Sequence, residues 1–329
     1  MELRILSSQE VRQALPMGAA IAGMKGAFAQ LAAGEAHVPL RTQIALPQHN
    51  GIAIFMPAYL ARTDDLAVKV VSVFPDNEQQ RLPTIHGVVL ALDAVSGRPL
   101  ALLEGGTLTA IRTGAASGAA TDVLARPDAS TVAIIGSGVQ ARTQLEAVCT
   151  VRDIRSVRVY SPDREHARVF AEEMRGQGPV PEHITVADSA GMAVRDADIV
   201  CTATTSSQPV FPGSALSPGT HINAVGSFRN DMQEVDVETV RRALVVVDSR
   251  EAAMAEAGDL VIPIEAGAIT AEHIHAELGE LVNGQRPGRE DPRQITYFKS
   301  VGIAVQDAVA AGIALANARE LGLGTITAL

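Results

Sequence analysis

The sequence predicts an α/β chain, a doubly wound parallel sheet joined to a discontinuous α+β domain. Three observations predict it. After residue 130, apolar runs of four or five residues alternate with helical stretches. One such run, Val132 to Ile135, ends in Gly136-Ser137-Gly138-Val139-Gln140-Ala141, a strand meeting a glycine-tight turn that opens a helix. About 130 residues of different, β-rich character come first, so another unit is built before that turn.

Ser7-Ser8-Gln9-Glu10 is a capping-box pattern and starts a helix. Pro16 interrupts it, and a second helix runs from Ala19 to Leu31, stopping near Gly34. Short β-rich runs follow: Thr42 to Leu46, Ile52 to Tyr59, Leu66 to Val73, Gly87 to Leu92 and Pro99 to Leu103. Ser96-Gly97 between the last two reads as a hairpin turn, which implies antiparallel pairing. Thr109 to Leu124 is alanine-rich and helical, and Arg126-Pro127-Asp128 then punctuates the chain. Beyond Ala141 the expected strands are Ser156 to Tyr160, His183 to Val186, Ile199 to Thr202, Ile222 to Val225 and Leu244 to Val247. The last helix, Val305 to Leu321, is apolar over much of its surface and is expected to return to the N-terminal domain. The expected division is therefore residues 1–125 plus 303–329 against 126–302.

The 329 residues are 47% hydrophobic and 19% charged, which supports large cores and excludes disorder. The net charge is −10, and no Lys/Arg cluster offers the basic face a nucleic-acid binder shows. Cys149 and Cys201 lie in apolar contexts and read as buried thiols of a reducing compartment. Met1-Glu2-Leu3-Arg4 lacks the apolar core of a signal peptide, and no stretch approaches the ~18 apolar residues of a membrane span. A cytoplasmic protein without membrane or nucleic-acid partners is expected.

The glycine turn matches G-x-G-x-x-A after a strand and before a helix, the context in which bare backbone N–H groups hold a pyrophosphate. A structural turn is the other reading. The second strand ends at Tyr160, where an acidic residue would hold the ribose 2′-hydroxyl and favour NAD(H). Ser161 stands there instead and leaves room for a 2′-phosphate, with Arg164 close enough to pair with one. NADP(H) is therefore expected over NAD(H). The plainer reading makes Asp163 a helix N-cap and Arg164 a solvated charge.

Upstream, Lys69 lies inside the apolar run Leu66 to Val71, Arg112 follows Leu108-Thr109-Ala110-Ile111, and Arg41 follows Pro39-Leu40. A buried cation needs a partner, and Glu104 or Asp93 would supply a salt bridge. A strand edge facing water is a further alternative. Three cations converging would instead form an anion pocket suited to a carboxylate.

At these residues the sequence resembles the ornithine cyclodeaminase/μ-crystallin family. The matching segments are Lys69 to Asn77, Leu82-Pro83-Thr84, Leu108 to Thr113, Ile135 to Ala141, Ile222 to Gly226 and Phe298 to Gly302. The resemblance implies a homodimer with a nicotinamide domain, and a substrate domain made of the N-terminal half plus the last helix. It implies that Arg41, Lys69 and Arg112 hold a substrate carboxylate. It places Thr84, Arg112, Val139, Gln140, Ser161, Thr202, Asn223, Ala224, Val225, Gly226 and Ser300 at the cofactor, beside Gly136, Gly138 and Arg164. For Thr202, Thr204 and Ser206, ordinary loop polarity is the alternative.

One departure is informative. The family's cyclodeaminases and alanine dehydrogenases carry an Asp two residues after the glycine of the Ala-Val-Gly segment; here that residue is Phe228. The stretch Gly226 to Asp236 resembles the ketimine and Δ1-pyrroline-2-carboxylate reductases. A phenyl ring cannot bind an ammonium through a carboxylate, but it can pack on a flat cyclic imine. The expected activity is reduction of Δ1-pyrroline-2-carboxylate to L-proline, with Δ1-piperideine-2-carboxylate as a further substrate and Lys69 as candidate proton donor. The alternatives are an ornithine cyclodeaminase, an amino-acid dehydrogenase (including one of linear N-substituted amino acids), and a non-catalytic NADPH-dependent ligand-binding protein of μ-crystallin type.

Overall fold

The computed structural model describes residues 2–328, the side chain of Glu78 excepted. Contacts divide it into two units, Met1–Arg112 with Ile303–Leu329, and Thr113–Gly302. The first break falls inside the helix Gly105–Leu124, earlier than the Ala125 boundary suggested by the Arg-Pro-Asp punctuation.

The first unit holds an eight-stranded sheet in the order Thr325–Ala328, Glu2–Leu6, Pro99–Glu104, Ile85–Asp93, Asp65–Val73, Gly51–Leu60, Ala36–His37, with Thr42–Leu46 also paired to Gly51–Leu60. Every pairing is antiparallel except Glu2–Leu6 with Pro99–Glu104. The turn at Ser96-Gly97 is present, with Gly97 at φ 71° and the Asp93 carboxylate accepting from the N–H groups of Val95 and Ser96. The helix Ala304–Glu320 packs across Gly51–Leu60, Asp65–Val73 and Ile85–Asp93 and against the helix Met17–Ala32. Its small side chains explain the fit: Ala308, Ala310, Ala311 and Ala314 are all buried and let the helix lie close to the sheet. The predicted capping box is present at Ser7 and Glu10.

The second unit is a parallel sheet in the order Ile184–Val186, Ser156–Tyr160, Thr131–Ile135, Ile199–Thr202, His221–Ala224, Ile295–Lys299, Ala243–Val247, Ile274–Glu277. All its pairings are parallel. Both faces are covered. Val132 and Ile134 point into one apolar cluster with Leu145, Val157 and Phe170, while Ala133 and Ile135 point into another with Val200, Ile222 and Tyr297. Burial on both faces is why these strands read as continuous apolar runs rather than alternating ones. From Thr131–Ile135 the chain goes outward to Ser156–Tyr160 and later returns on the other side with Ile199–Thr202. This reversal of strand order is where doubly wound sheets bind ligands. Among the described residues no helix is long and apolar enough to cross a membrane.

Candidate active site

In the first unit, Lys69 sits mid-strand between Met56 and Val89 of the neighbouring strands, both buried and apolar. Its Nζ lies 2.7 Å from Asp307 Oδ2, and Arg112 donates from Nε to Asp307 Oδ1 at 3.1 Å. Arg112 also donates from Nη1 to Gln306 Oε1 at 2.7 Å. All four side chains are buried, at 3% exposure for Lys69, 5% for Arg112 and 1% for Asp307. Burial pushes the Lys69 ammonium down to about 8; Arg112 and Arg41 add to the lowering, and Asp307 opposes it. Arg41, half-buried, is thus close enough to act on Lys69 electrostatically. The three predicted cations do come together.

The partner suggested by sequence proximity is wrong, however. Glu104 accepts from the N–H groups of Gly106 and Thr107 at the start of a helix, and Asp93 closes a turn. Asp307 and Gln306, on the helix that returns from the far end of the chain, are the actual partners. Thr84 also lies in this unit, half-buried, its carbonyl accepting from Phe74 N at 2.8 Å.

In the second unit, Gly136 has φ 108°, where only glycine is unstrained, and a Cβ there would lie 2.5 Å from Ala203 O. Gly138 is the N-cap of the helix Val139–Val151 and makes no side-chain cap. A Cβ on Gly138 would meet nothing within 4 Å, and Val139 is 66% exposed. Open space therefore lies over the first N–H groups of a 13-residue helix, where the dipole favours an anion. Gln140 Oε1 is buried nearby without a partner among the described residues. These features fit a dinucleotide pyrophosphate, with the backbone of Gly138 to Gln140 as its holder.

Ser161 directly follows its strand, as expected. Asp163 is the N-cap of the helix Arg164–Met174, accepting from Glu165 N and His166 N. Arg164 Nη1 donates to Asp188 Oδ1 at 2.6 Å, and both side chains are exposed. The plainer reading of this segment therefore describes its resting arrangement, although an exposed pair is weak enough for an anionic ligand to displace.

Several positions the resemblance places at the cofactor are buried. The Thr202 hydroxyl donates to Glu234 Oε2. Asn223 donates from Nδ2 to Thr121 Oγ1, and its Oδ1 lies 3.1 Å from His221 Nε2. The Ser300 hydroxyl donates to Asp248 Oδ2, which also accepts from Val301 N and Gly302 N. Ala224 is fully buried and Val225 nearly so. The side chains of Thr202, Asn223 and Ser300, three of the positions the resemblance places at the cofactor, bond within the protein at the strand ends.

Glu234 organises those ends and was not singled out by the sequence. Its carboxylate accepts from Thr202 Oγ1, Thr204 N and Oγ1, Gly226 N and Ser227 N, tying together the loops after two adjacent strands. A Cβ on Gly226 would lie 2.2 Å from Thr204 O, so the close approach requires glycine. Burial pushes the Glu234 carboxyl up while Lys299 pulls it down. Asp259 completes the cluster, accepting from Glu234 N, Lys299 Nζ and Tyr297 OH. Past Gly226, Phe228 is 41% exposed, and Asp231 is held by Arg229 through two hydrogen bonds of 2.9 and 3.1 Å. No cluster of His, Cys, Asp and Glu among the described residues has metal-binding geometry.

Comparison with known proteins shows the family to which the chain belongs. The ornithine cyclodeaminase/mu-crystallin family model matches residues 1–321. A Delta(1)-pyrroline-2-carboxylate reductase of Bacillus cereus is 42% identical over 321 residues, 97% of this chain and 98% of its own length. The solved structure of Thermococcus litoralis Delta(1)-pyrroline-2-carboxylate reductase in complex with NADH and L-proline is 46% identical, with a TM-score of 0.94 over 98% of this chain and 99% of that one. An archaeal alanine dehydrogenase dimer with bound NAD is 33% identical, with a TM-score of 0.92 over 100% of both chains.

Proposed function

The chain belongs to the ornithine cyclodeaminase/mu-crystallin family, and from that premise we propose that it is an NAD(P)H-dependent reductase of cyclic ketimine carboxylates. The leading reaction is Δ1-pyrroline-2-carboxylate to L-proline, followed by Δ1-piperideine-2-carboxylate to L-pipecolate. The observation that carries the choice within the family is the loop after Gly226. It presents a phenyl ring at Phe228, and its nearby acid, Asp231, is committed to Arg229. Arg229 also holds the Asp231 carboxyl below its ordinary value. A substrate amine finds no available carboxylate there, whereas a flat imine ring finds an apolar face.

A nicotinamide cofactor, when held by the glycine turn Gly136 to Gln140, would supply the hydride for the C=N carbon. Arg41, Lys69 and Arg112 bind the substrate carboxylate by charge-assisted hydrogen bonds and so fix the imine. Reduction adds one hydride at carbon and one proton at nitrogen. Lys69, held near 8 by burial, is still an ammonium ion at neutral pH and is the proton donor in this reading. For the cofactor, Ser161 in place of an acid supports NADP(H), with Arg164 leaving Asp188 for the 2′-phosphate.

A homodimer belongs to the same proposal. The sheet face of the first unit opposite the helix Ala304–Glu320 carries Phe55, Val68, Val70, Leu90, Val88 and Ile44, all half-buried or exposed. An apolar surface of this kind on a single chain points to a protein partner, and the solved alanine dehydrogenase relative is a dimer. Location in the cytoplasm is supported by two buried cysteines, neither in a disulfide.

The test is consumption of NADPH and of NADH with the five- and six-membered imines. Loss of nicotinamide absorbance with either imine supports the reading. Release of ammonia from ornithine replaces it with cyclodeamination, and tight NADPH binding without turnover replaces it with a ligand-binding role. A preference for NADH above about tenfold, roughly 1.4 kcal/mol, overturns the role given to Ser161 and Arg164.

A further inference from the structure

Lys69 and Arg112 are like charges buried side by side, an arrangement that needs a counter-charge. Asp307 provides it, with Oδ2 at 2.7 Å from the ammonium and Oδ1 accepting from the guanidinium at 3.1 Å. Gln306, one residue earlier, anchors the other end of Arg112 and accepts from Ile303 N at 3.0 Å, which fixes its own amide. We propose that Asp307 is a positioning residue of the carboxylate site, the counter-ion that holds Lys69 as an ammonium ion and locks Arg112 beside it. The inference rests on the substrate reading above and goes further, because it makes the site three cations and one carboxylate rather than three cations.

The charge count shows what this does. The buried group of Lys69, Arg112 and Asp307 carries +1 before substrate binds, and a substrate carboxylate offsets it. The ammonium then keeps its proton available for the ring nitrogen. Without Asp307, Lys69 still feels Arg112 from one helix and Arg41 from the segment before Thr42–Leu46, and it loses the carboxylate that opposes them. Asp65, four residues earlier on the same strand, is the nearby acid of that strand, and the flanking strands present uncharged Met56 and Val89. The proton is then lost at lower pH.

The chain contains only three lysines, Lys25, Lys69 and Lys299, so lysine labelled with 13C at Cε gives a spectrum in which Lys69 is assigned by Lys69→Met. In the full-length protein, Asp307→Asn is expected to move the Lys69 midpoint down from about 8 by a pH unit or more. The high-pH limb of kcat/KM should move with it. A limb displaced by one pH unit costs about tenfold in activity on the alkaline side and almost nothing well below the midpoint. Asp307→Glu, which keeps the charge, should restore most of the midpoint. A folded Asp307→Asn with an unmoved Lys69 midpoint, or one losing activity equally at every pH, overturns the proposal. If Asp307→Asn alone does not fold, the double variant Asp307→Asn/Lys69→Met decides. Recovery of a cooperative melt supports the counter-ion role, and no recovery overturns it. A wild-type protein inert towards both imines refutes the substrate reading alone, because the lysine titration still decides the role of Asp307.

Discussion

Acid should loosen the second unit through His221. This ring is fully buried, with Nε2 3.1 Å from Asn223 Oδ1 and Nδ1 2.9 Å from Thr296 Oγ1. Because Asn223 Nδ2 already donates to Thr121, its Oδ1 is the acceptor and His221 carries its proton on Nε2. A second proton on Nδ1 would be buried beside Arg289, whose Nη2 donates to the same threonine hydroxyl. Burial first, then Arg289, push His221 down to about 3 from 6.5. Below pH 6.5 the unfolded chain therefore binds a proton that the folded chain refuses, so stability falls as pH falls. Between neutrality and about pH 4.5 the loss is on the order of 3 kcal/mol, at about 1.4 kcal/mol per pH unit. Asp65 runs the other way: burial raises it to about 6, so its folded form gains a proton first and stability rises as pH falls through that value. The difference between wild type and His221→Gln separates the two. In urea titrations across this pH range, the wild type should lose about 3 kcal/mol more than His221→Gln. Parallel pH profiles for the two proteins would refute the reasoning.

Other outcomes follow from the same geometry. Lys69→Met should cut turnover of saturating imine by a factor of roughly 100 or more; unchanged kcat removes Lys69 from proton transfer. Gly136→Ala places a side chain at φ 108° and 2.5 Å from a carbonyl oxygen, and nicotinamide cofactor affinity measured by calorimetry should fall at least about tenfold. Glu234→Gln replaces one acceptor oxygen with a donor facing Gly226 N, Ser227 N or Thr204 N, and should destabilise the protein by about 2–4 kcal/mol in urea denaturation. Arg164→Ala should weaken NADPH by several-fold and leave NADH unchanged, as read by KM for each cofactor.

The sequence was most legible where local pattern and tertiary environment agree. The parallel strands flanking Gly136 are buried on both faces, so apolar runs marked them correctly. The strands Glu2–Leu6 and Thr325–Ala328 were missed because each is short, and they pair with one another across the whole length of the chain. Lys69 and Arg112 stood out as cations in apolar runs, yet their counter-ion did not. Nearby Glu104 and Asp93 are plausible by proximity, but both are occupied at a helix start and a turn, and only folding brings Asp307 of the helix Ala304–Glu320 to the pair. Glu234 left no signal because its role depends on which backbone N–H groups two separate loops bring to one point. The resemblance singles out Thr202, Asn223 and Ser300 by position, and their internal hydrogen bonds depend on neighbours distant in sequence.

The bridge from Asp307 to Arg112 spans 195 residues of chain. During synthesis the whole of the second unit leaves the ribosome before Asp307 does. Its parallel sheet is built from a continuous stretch and can fold at once, while the first unit waits. In that interval Lys69 and Arg112 lack the carboxylate that makes their burial tolerable, and the strand bearing Lys69 lacks the helix that covers it. The earliest-made half of the protein is therefore the last to consolidate. A released chain ending at Gly302 should display a protease-resistant second unit joined to a first unit that is still readily cut.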